Sequence, residues 1–266
     1  MFAAGIVVLV LTLILAIVHV VQRRKIGHLL TARKTTVGEL AATAKAVAGE
    51  LGGGGFEEMA ALTGTVQCDA PVVAPLSGRP CLHYRMAVRR RYEEDVERRD
   101  QNGNVHRETR RGSDTMSTQQ EGVHAFRLVD GTGAIEVLAE GLDHDARVET
   151  VDRFEPQHGG HGGLSIGYGR FSMTVDHGGF GNRRTLGYEY EEHIVPLDGR
   201  FTVLGRVSDR SGSLAVEKGG AVFSMSRKDR DEQIGGAKGT AQWTGIASGV
   251  GLIVGVILTA VGALVD

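Results

Sequence analysis

Two apolar stretches, Phe2 to Val21 and Thr244 to Val265, bracket a polar, strand-rich middle. Neither carries a charge, and only Thr12 and His19 interrupt the first with polar groups. A helix needs roughly 20 residues to cross a hydrocarbon core ~30 Å thick, so each stretch is long enough to span a bilayer. A chain of this kind is expected to hold its middle on one membrane by both ends. The expected layout is a span over 1–22, a juxtamembrane helix and Gly linker over 23–55, and a β domain over 56–226. A polar connector over 227–243 and a second span over 244–265 complete it.

The flanks set an expected orientation. Arg23, Arg24, Lys25, Arg33 and Lys34 follow the first span, and Arg227, Lys228, Arg230 and Lys238 precede the second. Both positive flanks lie on the domain side, which by the positive-inside rule puts the domain in the cytoplasm of a cell membrane. A cleavable signal peptide would instead need a basic start and small residues at its exit. Here the basic cluster follows the apolar run, and Ala16-Ile17-Val18-His19 offers no good cleavage site, so the first span reads as an uncleaved anchor.

All thirty Lys and Arg lie between the spans, against all Asp and Glu but Asp266. The tethered part is close to neutral, and a sequence-independent grip on nucleic acid needs a basic excess. Nucleic acid is therefore not an expected partner. Two cysteines, Cys68 and Cys81, are too few for a zinc finger or RING. In the cytoplasm both would be reduced thiols, small and buried; in an oxidising compartment they could form a disulfide.

Thr36-Val37-Gly38-Glu39 has capping-box spacing, and Leu40, Ala44, Val47 and Leu51 recur at helical period, which predicts a helix over about 37–51. Gly52 to Gly55 ends it. From Phe56 the pattern turns to β. Strands are expected at 62–68, at 81–92 with Leu82, Tyr84, Met86 and Val88 on one face, at 125–129 and at 134–138. Further strands are expected at 148–154, 201–207, 213–216 and 221–225. The segment 93–121 is charged and poor in large apolar residues, and its Asn102-Gly103 pair suits a hairpin turn, which predicts a solvated ribbon. The Gly- and His-rich stretch 157–187 reads as a loop around one short strand. Ser226 is placed to cap a polar helix leading to Trp243 at the water–lipid boundary. The fold class is mainly β: one antiparallel barrel-like or sandwich domain between two transmembrane helices, with a short juxtamembrane helix.

Three blocks carry a family likeness. The first is Thr63-Gly64-Thr65-Val66, Ala74-Pro75-Leu76-Ser77-Gly78 and Cys81-Leu82-His83-Tyr84. The second is Phe126 to Gly133, ending Val129-Asp130-Gly131-Thr132-Gly133, with Val137. The third is Ile194-Val195-Pro196-Leu197-Asp198-Gly199, Val203-Leu204-Gly205 and Phe223-Ser224-Met225-Ser226. Over about 59–265 the chain resembles the GIDE-type domain, also called the beside-a-membrane (BAM) domain. That domain occurs in membrane-anchored RING E3 ubiquitin ligases of mitochondria and chloroplasts and in stand-alone prokaryotic relatives. The resemblance implies a non-catalytic β module between two spans. The chain runs only to Asp266 and shows no RING, so ligase activity is not expected to carry over. In the organelle ligases the domain faces the intermembrane space, which corresponds to an extracytoplasmic placement; the local charges favour the cytoplasm.

Other motifs have weaker chemistry. His158, His161 and His177 could hold a metal, but glycines flank them and no rigid second shell is evident. His83 lies two residues from Cys81, on the same strand face, the only arrangement resembling a thiol nucleophile and its base. Asp130-Gly131-Thr132-Gly133 and Gly167-x-Gly169 lack the following helix of a phosphate or dinucleotide loop, and read as turns. Gly245-x-x-x-Gly249 and Gly251-x-x-x-Gly255 give the second span small residues for helix packing, against the first span or a second copy. No catalytic site and no cofactor is expected. The expected function is a membrane-tethered interaction or sensing module with the bilayer and a membrane or cytoplasmic protein as partners. The alternatives are an enzyme working near Cys81 and His83, and a subunit of an oligomeric pore.

Overall fold

The computed structural model describes residues 2–99, 105–157, 164–175, 183–219 and 222–265. Helix α1 (Phe2–Thr31) leads through β1 (Arg33–Lys34) into α2 (Val37–Leu51), followed by β2 (Glu57–Gln67) and β3 (Val72–Val73). The long strands β4 (Pro80–Arg99) and β5 (Val105–Gly122) come next, then β6 (Ala125–Val129), β7 (Ala134–Leu138), β8 (Asp143–His144) and β9 (Val148–Pro156). After these come β10 (Leu164–Tyr168), β11 (Phe171–Val175), β12 (Arg183–Pro196), β13 (Arg200–Ser208), β14 (Ala215–Glu217), β15 (Ser224–Ser226) and α3 (Arg230–Val265). The chain is mainly β, with apolar helices at both termini. Two compact units result, one from 1–65, 127–145 and 200–266, the other from 66–126 and 146–199.

The first unit is a barrel on two helical stems. Its strands run β2-β6-β7-β14-β13, and β13 pairs back onto β2 from Arg200↔Thr65 to Ser208↔Glu57, which closes the ring. Taken in chain order the ring reads first, second, third, fifth, fourth, with the third and fifth strands (β7 and β14) parallel. That is the connectivity of an OB barrel. The chain of the second unit leaves between the first and second ring strands and again between the third and fourth. Leu62, Leu128, Val137, Phe201, Val203 and Val216 are fully or almost fully buried, as the inner positions of a small barrel must be.

The stems extend the apolar spans. At 30 and 36 residues, α1 and α3 measure about 45 and 54 Å at 1.5 Å per residue, longer than a hydrocarbon core. Their polar ends meet the barrel, where Leu29, Ala32, Ala61, Leu204 and Ile234 form one apolar cluster. The Arg230 guanidinium donates to the Leu29 and Leu30 carbonyls at 2.8 and 3.2 Å, satisfying groups that the end of α1 leaves without helical partners. Asp229 and Glu232 form a reciprocal capping box at the start of α3. The expected cap, Ser226, instead lies in β15, where its hydroxyl accepts from the Lys228 amide at 3.2 Å. An acid beats the serine because it stands one residue before the helix and complements the dipole there.

The second unit is built on β4. Strand β12 pairs along one side of it, β5 along the other, β9 adds outside β12, and β3 pairs at its start. The β10–β11 hairpin contributes Ile166 and Phe171 to a core with Leu76, Met86, Val88, Val151, Tyr188 and Tyr190. Stretch 157–187 thus holds two paired strands and the start of a third, where the sequence reading has one. The 93–121 segment forms the expected ribbon: β4 and β5 stay paired to Arg99↔Val105, while among the described residues β12 accompanies β4 to Glu94. The Asn102-Gly103 turn lies outside the described residues.

Candidate functional site

The family-block residues fold into structural joints. In the second unit, Pro75 to Gly78 make a turn closed by the Gly78 amide on the Ala74 carbonyl at 2.9 Å. Beneath it lies Glu192, a carboxylate with no exposure to solvent. It accepts from the Leu76 amide at 2.6 Å, the Ser77 amide at 3.1 Å and the Thr150 hydroxyl at 2.8 Å. Such a buried charge is tolerated only because donors surround it. Gly78 sits at φ 70° and Gly199 at φ 107°, conformations that side chains rarely adopt, which accounts for glycine in both blocks. Pro196 ends β12 opposite Cys81. A Cβ on Gly205 would meet Val216 at 2.7 Å and the Phe223 ring at 2.9 Å inside the first unit.

Asp130 and Gly133 belong to a clasp in the first unit. Asp130 accepts from the Val37 amide at 2.7 Å, from the Thr132 amide and hydroxyl at 2.9 and 2.6 Å, and from the Gly133 amide at 3.2 Å. Thr132 accepts from the Gly38 amide at 2.9 Å, so the turn serves the N-terminus of α2 together with the expected Thr36 cap. Burial alone would raise the Asp130 carboxyl, but the Thr132 hydroxyl and the three amides outweigh it and hold it below the usual carboxylate range. The turn binds a helix N-terminus of its own chain.

Cys81 and His83 stand two residues apart on β4. Cys81 is buried with Ala74, Tyr84 and Ile194, and burial, followed by the nearby Glu192 charge, pushes its thiol up to about 11. His83 is driven the other way, down to about 4, by burial and then by Arg147 and Arg85. At neutral pH the pair is a protonated thiol beside a neutral imidazole, the reverse of an activated cysteine. Cys68 and Cys81 are both free thiols. Tyr84 donates to Glu121 at 3.1 Å, tying β4 to β5.

His158, His161 and His177 lie outside the described residues. Among the described residues no three His, Cys, Asp or Glu side chains converge as an ion would require.

The apolar helices pair with each other along their length. A Cβ on Gly251 would stand 2.5 Å from the Thr12 hydroxyl, on Gly255 2.8 Å from Leu9, and on Gly245 2.9 Å from the His19 ring. Gly249 faces open space. The sequence reading missed Gly5, whose Cβ would press on the Thr259 backbone nitrogen at 2.8 Å. His19 also bonds through Nδ1 to the Ala241 carbonyl at 2.8 Å. Away from this seam Val10, Leu13, Ile17, Leu252, Ile253 and Ile257 are exposed, and Trp243, three-quarters exposed, stands at the polar end of the α3 stretch. Apolar side chains pointing outward around a helix pair suit lipid and not water.

The ribbon and the sheet that carries it display cross-strand ion pairs: Arg91 with Glu189, Arg89 with Glu191, Arg184 with Glu93, Arg183 with Glu94. Arg90 is the buried exception, paired to Asp114 at 2.7 Å. Such cross-strand pairs help to set the register of β4 against β12.

These features define a class: a strand-built module carried on two helices apolar enough to cross a membrane. The family model for GIDE, described as E3 ubiquitin ligase, matches residues 93–262, well over half of the chain. The protein belongs to the GIDE family. Neither a curated protein nor a solved structure matches it.

Proposed function

We propose that this GIDE protein is a non-catalytic membrane-tethered module that holds a protein partner at the bilayer surface through its β4–β5 ribbon. The observation that carries the reading is the helix pair, whose outward apolar faces lead directly into the barrel stems. Two further facts support it. The family-block residues close turns and cap a helix of their own chain. Cys81 holds its proton at neutral pH. The positive flanks of both spans support a body on the cytoplasmic side of a cell membrane.

The ribbon suits docking because, among the described residues, no third strand pairs with it beyond Glu94 and most of its side chains are exposed. Removing 96–108 shortens it without touching the part of β4 that β12 holds. Cross-linking and pull-down from native membranes then compares the shortened and full proteins. Partner yield is expected to fall sharply in the shortened protein; the same partners at the same yield overturn the reading.

A further inference from the structure

The ion-pair ladder on the outer face of the second unit stops one step short. Strand β12 supplies Glu189 to Arg91 and Glu191 to Arg89, but opposite Arg85 it places His193. A second guanidinium, Arg147, stands just before β9, and both arginines line the same cleft of about 400 Å³ with Ala87, Arg89, Glu191 and His193. Among the described residues neither Arg85 nor Arg147 has a carboxylate within ion-pair distance, although every other arginine at this end of the ladder has one. Glu149 approaches His193 at 3.9 Å from β9 and does not line the cleft.

The charge count of the cleft is then three arginines against Glu191, an excess of two. A carboxylate ligand would leave one cation unmatched. A phosphate monoester carries between ~1.5 and 2 negative charges at pH 7 and offers three oxygens. Guanidinium forks fit such oxygens in pairs. His83, which burial and then both arginines push toward its neutral form, adds no competing charge. The cleft also lies within the size range of small-ligand sites, ~300–1,000 Å³.

We propose that this cleft binds a phosphate monoester, with Arg85 and Arg147 as its two clamps. The monoester can belong to a soluble metabolite or to a lipid headgroup; both present the same dianion.

The test uses the full chain in phosphatidylcholine nanodiscs, titrated calorimetrically with glycerol 3-phosphate and with its choline diester. Saturable binding of the monoester is expected, with the diester much weaker. Arg85→Gln/Arg147→Gln should weaken monoester binding about tenfold or more, the scale of losing charge-assisted hydrogen bonds. Arg184→Gln, on the same sheet but paired to Glu93, should bind as the parent does. Both clamps are exposed, so an unchanged far-UV spectrum is expected of the double variant. Repeating the titration in discs containing phosphatidic acid separates the sources: competition assigns the headgroup, its absence the soluble ligand, and either supports the proposal. No saturable monoester binding, equal binding by the double variant, or equal binding of the diester overturns it.

Discussion

Gly251 offers the sharpest perturbation of the helix pair, because Gly249 two residues away provides a matched control. Replacing either by alanine adds one methyl and the same helix propensity gain in the middle of α3. At Gly249 the methyl meets nothing within 4 Å; at Gly251 it would stand 2.5 Å from the Thr12 hydroxyl oxygen. That hydroxyl already donates to the Val8 carbonyl at 2.7 Å, and Thr12 is only 5% exposed. To admit the methyl, Thr12 must give up its bond or the helices must part. Losing a buried hydrogen bond costs ~1–3 kcal/mol, and overpacking costs a similar amount. Gly251→Ala should therefore unfold more easily than Gly249→Ala by about 1–3 kcal/mol, which is roughly 5- to 150-fold in the equilibrium constant. Graded sodium dodecyl sulfate added to the protein in mild detergent, followed by far-UV circular dichroism, reads this difference. If the two variants are equally stable, the seam between α1 and α3 is not where the glycines place it.

Other consequences follow from the joints. Glu192→Ala should cost about 3 kcal/mol or more, since three donors lose a buried charged acceptor, and thermal denaturation of the second unit reads the loss. Asp130 has a depressed folded carboxyl, so its contribution is present above the ordinary Asp range and is lost as pH falls through that range and below. Protection against amide exchange across 37–51, relative to the intrinsic rate at each pH, should fall in acid, and Asp130→Asn should flatten that dependence; an unchanged dependence refutes the clasp. A maleimide at pH 7.5 should label Cys68 and leave Cys81 unreacted in the folded protein, because burial holds the Cys81 thiol near 11. Labelling of Cys81 as fast as Cys68 would restore the case for a catalytic thiol.

Much of this architecture is written in local patterns. Thr36 and the Leu40/Ala44 spacing mark α2, and Leu82, Tyr84, Met86 and Val88 mark the buried face of β4, because capping and alternation act over a few residues. The ring closure leaves no such trace. The β7–β14 pairing is parallel and joins residues about eighty positions apart, so nothing near either strand announces it. Strand β12 was hidden for a different reason: its acids break the look of a strand. The signal is there, since Tyr188, Tyr190, Glu192 and Ile194 fall at period two and all are buried. A carboxylate on an apolar face would have pointed to a capped turn elsewhere. Of the glycines in α3, sequence could name the motif but not its direction, because Gly249 and Gly251 differ only in which way the helix is turned.

The central claim is that both termini lie across a bilayer from the strand-built body. Single-cysteine variants lacking Cys68 and Cys81, with Asp266→Cys or Thr118→Cys, test it with a membrane-impermeant maleimide on intact cells. The account expects the residue-266 thiol to react from outside and the residue-118 thiol to react only after permeabilisation. Both thiols reacting on the same side of the membrane would contradict it.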